Sequence, residues 1–197
     1  KYNRNAWDDD ETNDEQWPYR VKFSGTDLLG NVTIPEGDPT DVETSLEVSL
    51  DASSESYPLH TFNLLNEGVM QKIAKAFKLQ PSEIAGATLD AGTVKVDGFS
   101  GPAEGKVAVG LTNPDGKVSY AYSANGIGFW IAADGTVSSW GDAPIYYEYD
   151  ASGYGLTVGH NPGHSEKSKT YIIKPTMVYN KGGKLHKAVI TIKMKFA

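Results

Sequence analysis

The clearest regularity along the chain is a period of two. Tyr19, Val21 and Phe23 alternate with Arg20 and Lys22, and Leu46, Val48 and Leu50 alternate with Ser45, Glu47 and Ser49, which predicts two half-buried strands. Between them GNVTIPEGDPTD is turn-rich, with Pro35, Gly37 and Pro39 as breakers. One segment changes period. Val69, Met70, Ile73, Ala74 and Phe77 recur at helical spacing, with Asn66 placed to cap, Pro81 placed to stop, and Ser82 to Ala87 long enough for a short second turn of helix. From Thr93 onward the strand pattern returns at 93–96, 106–112, 118–123, 129–132, 137–140, 145–149, 156–160, 171–179 and 187–196. The last is the sharpest: Ala188, Ile190, Ile192, Met194 and Phe196 face inward against Lys187, Thr191, Lys193 and Lys195, lysines that would also protect an exposed edge. The expected fold is mainly β, an antiparallel sandwich, jelly-roll-like or an open barrel, with one α-helix packed on it.

Composition narrows the function more than the fold. A chain of 197 residues buries enough surface for one domain without staples, and it has no cysteine, so thiolate metal sites and thiol nucleophiles are excluded. The net charge of −7 is uneven: residues 1–60 hold 14 acids against 4 bases, whereas the remainder holds 14 lysines against 11 acids. Residues 1–17, with six acids between Asp8 and Glu15 and no hydrophobic period, read as a flexible acidic tether; 18–60 read as N-terminal strands of the same sandwich, and 61–197 as the main domain. The acidic run lacks the glycine and terminal glutamate of a calcium loop, and no metal or other cofactor is expected. No arginine follows Arg20, so the bidentate contacts of a nucleic-acid reader are missing. No apolar run reaches the length of a membrane span. A start at Lys1 rather than methionine is what leader removal would leave, and it leaves room for a lipid anchor upstream.

Several ordered motifs carry a resemblance. SANGIGFWIAADGTVSSWGD is followed by GHNPGH, TYIIKPTMVYNKGGK and ITIKMKF, and the helix ends in LQPSEIAGA. This order resembles a domain of unknown function, DUF4859, of surface and secreted proteins of Bacteroidetes, often beside glycan-processing modules. The resemblance spans roughly residues 60–197 and implies an extracytoplasmic, carbohydrate-related accessory role. It implies no reaction mechanism.

Catalytic readings fare poorly on the residues themselves. GFSGP lacks the spacing of a nucleophile elbow, and GYGLTVG lacks that of a phosphate loop. His160 and His164 in HNPGH cannot share a helix face across Pro162 and Gly163, and are expected as exposed imidazoles of a polar loop. Glu148 and Asp150, alternate residues of one strand, stand about 7 Å apart, within the separation of glycosidase acids, yet on an open face nothing raises one pKa above the other. A glycoside hydrolase therefore ranks below a binding module.

Aromatic density between Tyr120 and Tyr154 is the main functional clue. Asn113-Pro114-Asp115-Gly116-Lys117 requires a type I turn with a bulged glycine, because proline cannot adopt positive φ. The same loop at AADGT pairs Ala132 with Thr136, Trp130 with Ser138 and Gly128 with Trp140. Phe129, Ile131 and Val137 then share one face and Trp130, Ser138 and Trp140 the other. Two indoles with polar neighbours suit the C–H face of a sugar ring, with Tyr146, Glu148, Asp142 and Asn125 for its hydroxyls. The expected partner is a glycan. The alternative is a structural module that docks on a neighbouring surface protein, with the tryptophans as core or interface anchors.

Overall fold

The computed structural model describes residues 30–88, 93–96, 99–120, 127–150 and 152–197, with the backbone alone at 87, 88, 93–96, 99, 100 and 127. The acidic segment 1–17, the strand expected at 19–23 and Asn125 lie outside the described residues. The fold is mainly β. Strands β1 (Val42–Leu50) and β2 (Pro58–Asn63) precede helices α1 (Val69–Phe77) and α2 (Pro81–Thr88). The remaining strands are β3 (Thr93–Val96), β4 (Phe99–Pro102), β5 (Val107–Thr112), β6 (Val118–Tyr120), β7 (Ile127–Ile131) and β8 (Ile145–Asp150), then β9 (Gly155–His160), β10 (Thr170–Ile173), β11 (Pro175–Lys181) and β12 (Lys184–Phe196).

Two sheets, not a closed barrel, enclose the core. One runs β1-β12-β11-β5-β6, with β10 also on β12; the other runs β2-β9-β8-β7, and β3 and β4 form a small third ribbon. Alternation along β12 is as the sequence pattern requires, with Ala188, Ile190, Ile192, Met194 and Phe196 all buried. β12 is not an edge, however. It lies between β11 and β1, and β1 pairs with it in parallel, so the larger sheet is mixed rather than wholly antiparallel. The hairpin from β11 to β12 turns on Gly182 and Gly183 at φ 63° and 73°, both positive as a two-residue type I′ turn demands. Glu104 accepts both glycine N–H groups, at 2.8 and 3.1 Å.

Tyr147, fully buried on β8, donates its hydroxyl to the Gly110 carbonyl on β5 at 2.6 Å and so joins the sheets through the core. Tyr147→Phe should lower stability by about 1–2 kcal/mol, read as a lower urea midpoint at unchanged slope. An unchanged midpoint would remove that tie from the account.

Helix α1 buries the five residues its spacing selects, and Phe77 packs on Tyr179 of β11 with ring centroids 5.5 Å apart. Its start differs from the expected cap. Gly68, at φ 71°, occupies the N-cap, while Asn63 rather than Asn66 accepts the turn N–H groups of Leu65 and Asn66. There are two helices rather than one, because Pro81 opens α2: a first helical position needs no N–H and favours proline's fixed φ.

Candidate functional site

Residues 132–136 fold in the bulged register. Ala132 N–H donates to Thr136 O at 2.8 Å, Ser138 N–H donates to Trp130 O at 2.8 Å, and Gly135 takes φ 91°. The strand expected at 137–140 does not follow. Only Val137 bridges Ile131; Asp142 and Ala143 N–H groups then both return to Ser139 O, closing a tight turn. Gly128 pairs with Glu148 on the β8 edge of β7, and on the other edge the chain turns away after Ser138, so Trp140 does not pair with it. Val137 bridges Ile131 and so takes its side of the hairpin, but it is exposed rather than buried with Phe129 and Ile131.

The outward face of the four-stranded sheet is therefore built by β7, β8 and β9. Ile145, Tyr147 and Tyr149 point inward and are buried, which turns Tyr146, Glu148 and Asp150 outward. Trp130 pairs with Tyr146, and Tyr146 pairs with Gly159. The Trp130 and Tyr146 rings lie 5.0 Å apart, and Tyr57, just before β2, meets Trp130 edge-on at 6.3 Å and 81°. Gly159 makes the row possible. A Cβ there would sit 1.9 Å from Tyr57 O and 2.6 Å from Tyr146 Cε1, so only glycine lets the ring and the Tyr57 backbone cross β9. Beside this aromatic row runs a polar one. Glu148 faces Thr157, and Thr157 shares a 2.8 Å hydroxyl contact with Thr61 of β2.

Burial, and then the nearby Glu148 carboxylate, push the Tyr146 hydroxyl up to about 12, so it keeps its proton at neutral pH and can both donate and accept. Asp150 goes the other way. Its carboxylate accepts the hydroxyl and N–H of Ser152, at 2.7 and 3.0 Å, and is held below the usual range. A carboxyl stabilised as the anion and committed to a turn is poorly suited to general acid work.

Trp140 and Asp142 lie in the turn that follows Ser138. Trp140 is 58% exposed, its carbonyl held by Asn161 Nδ2 at 2.7 Å, and Ser139 donates to Asp142 at 2.9 Å. The two tryptophans share no ring contact among the described residues; Trp130's ring partners are Tyr146 and Tyr57. Tyr57 carries no periodic signal in the sequence, because it stands alone before a strand with weak alternation.

His160 is not an exposed loop imidazole. It is fully buried at the end of β9, 2.9 Å from Ser54 O through Nε2 and 2.6 Å from Ser165 Oγ through Nδ1, and it stacks on Phe196. A carbonyl only accepts, so Nε2 carries a proton. His160 N–H also donates to Tyr57 O, so this residue fastens the segment that presents Tyr57. A concavity of about 550 Å³ opens between the 113–117 and 132–136 hairpins. Its carboxylates, Asp115 and Asp134, accept the N–H groups of Lys117 and Thr136 and serve the turns. Among the described residues no group of three or more His, Asp or Glu side chains is arranged to hold a metal ion, and no helix is long and apolar enough to cross a membrane.

Fold and surface together define a β-sandwich domain with an aromatic row on the outward side of one sheet, Tyr57 exposed and Trp130 and Tyr146 half-buried. The family model for a domain of unknown function, DUF4859, matches residues 56–184, and the chain belongs to that family. No match was found among curated proteins or among solved structures.

Proposed function

We propose that this domain is a non-catalytic carbohydrate-binding module that works outside the cytoplasm, as an accessory to a surface or secreted protein. The observation that carries the reading is the Tyr57–Trp130–Tyr146 row on a sheet face whose other outward residues are small or polar. Sugar rings stack their C–H faces on such rings, and Glu148, Thr157 and Thr61 stand beside it to meet hydroxyls. Trp140 and Asp142, on the adjoining turn, extend the candidate surface.

An open surface of this kind binds weakly, with Kd of about mM to μM, or about −4 to −8 kcal/mol. Trp130→Ala should remove more than about 1 kcal/mol of that and abolish detectable retention on a glycan matrix, with the far-ultraviolet circular dichroism of a folded domain. If the variant folds and retention persists, the row is not the binding surface.

The second reading, docking on a neighbouring surface protein, draws support from the exposed Trp140 and Val137 on one short stretch of chain. It predicts that Trp140→Ala, and not Trp130→Ala, breaks the association.

A further inference from the structure

Lysine side chains are confined to one of the two sheets, where β1 also carries Glu43 and Glu47 and Glu47 pairs with Lys195 of β12. None of β2, β7, β8 or β9 contains a lysine or arginine, and the charged side chains on their open face are Glu148 and Asp150. The lysines at 181, 184, 187, 193 and 195 all belong to β11 and β12 of the other sheet. Of the two acids, Asp150 is committed to its turn. Glu148 is exposed, makes no hydrogen bond or ion pair among the described residues, and lies one pleat along β8 from Tyr146 on the same side. A carboxylate with no partner among the described residues thus stands beside two π faces that are themselves electronegative, and no cation on those strands offsets them.

We infer that the aromatic row takes saccharides without negative charge and prefers those bearing an ammonium group, so that free amino sugars bind best and uronates and sulfated sugars are rejected. The inference rests on the carbohydrate reading and adds the substrate class to it. A sugar ring stacked on Trp130 and Tyr146 brings its substituents toward Glu148. An ammonium there gains a carboxylate partner and cation–π attraction, a hydroxyl gains a hydrogen bond, and a carboxylate meets repulsion with no counter-ion. At an exposed site the ammonium should gain about three- to tenfold over the hydroxyl, and added salt should shrink that margin.

The test is an array of oligosaccharides in sets that share one backbone and differ in one substituent, namely ammonium, N-acetyl, hydroxyl, carboxylate or sulfate, probed with the full chain and with Glu148→Gln of matched thermal midpoint. The expected order is ammonium above hydroxyl and N-acetyl, with carboxylate and sulfate undetected, and Glu148→Gln brings ammonium level with hydroxyl. Binding of a uronate as tight as that of its hydroxyl parent overturns the inference while the carbohydrate reading stands, as does an ammonium preference that survives Glu148→Gln. If no member of any set binds, the carbohydrate reading itself fails. Tetramethylammonium bound as tightly as the best amino sugar would replace the saccharide with a simple cation cage.

Discussion

Replacing Gly159 with alanine should destabilise the domain by about 3 kcal/mol, an unusually large cost for adding one methyl group. The added Cβ meets two neighbours that differ in kind. Tyr146 can swing its ring away, at the expense of its contact with Trp130, but the Tyr57 carbonyl at 1.9 Å belongs to the backbone. That carbonyl cannot retreat without breaking the hydrogen bond from His160 N–H, beside the bulge between Pro58 and His60. Strand β2 should therefore loosen from β9, and the surface should lose Tyr57 and Tyr146 together. Urea titration checks the first effect and glycan retention the second. A loss below about 0.5 kcal/mol, the scale of ordinary surface substitutions, would mean that Tyr57 does not cross β9 as described.

Ile73→Ala should cost about 2–5 kcal/mol. Ile73 is fully buried in the middle of α1, between Met70 and Phe77, and shares the core with both sheets. With Phe77 packed on Tyr179 and α2 placed beside β5, the helix pair has little freedom to collapse into the vacated volume. Exposed Lys75 on the same helix is the control, and its replacement should fall within about 0.5 kcal/mol of the parent. Two neutral substitutions would show that α1 is peripheral to the cooperative core.

Much of the architecture could be read from periodicity. The inward residues of β12, the buried stripe of α1, the outward turn of Tyr146, Glu148 and Asp150, and the bulged register at 132–136 all follow from rules acting within a few residues. Steric demands on Gly135 and the repeat of side chains along a strand are local, so sequence suffices to state them. Membership of the family was legible for a related reason, since the order of turns and aromatic boxes is itself linear.

Other features depended on which strands become neighbours. Periodicity tells which face a side chain takes, but not which strand lies beside it. Alternation puts Trp130 on the outer face, but its ring partners there are Tyr146 on β8 and Tyr57, 73 positions earlier, rather than Trp140. The parallel pairing of β1 with β12 joins residues nearly 150 positions apart, and no local pattern encodes it. His160 looked like a loop residue because Pro162 and Gly163 follow it. Burial by Phe196 and by the segment around Ser54 makes it instead the fastening of Tyr57. The sequence by itself determined the faces, the turns and the supply of aromatic and acidic groups. The tertiary structure decided which of them meet, because a sheet brings together residues whose separation along the chain is set by strand order and carries no periodic signature.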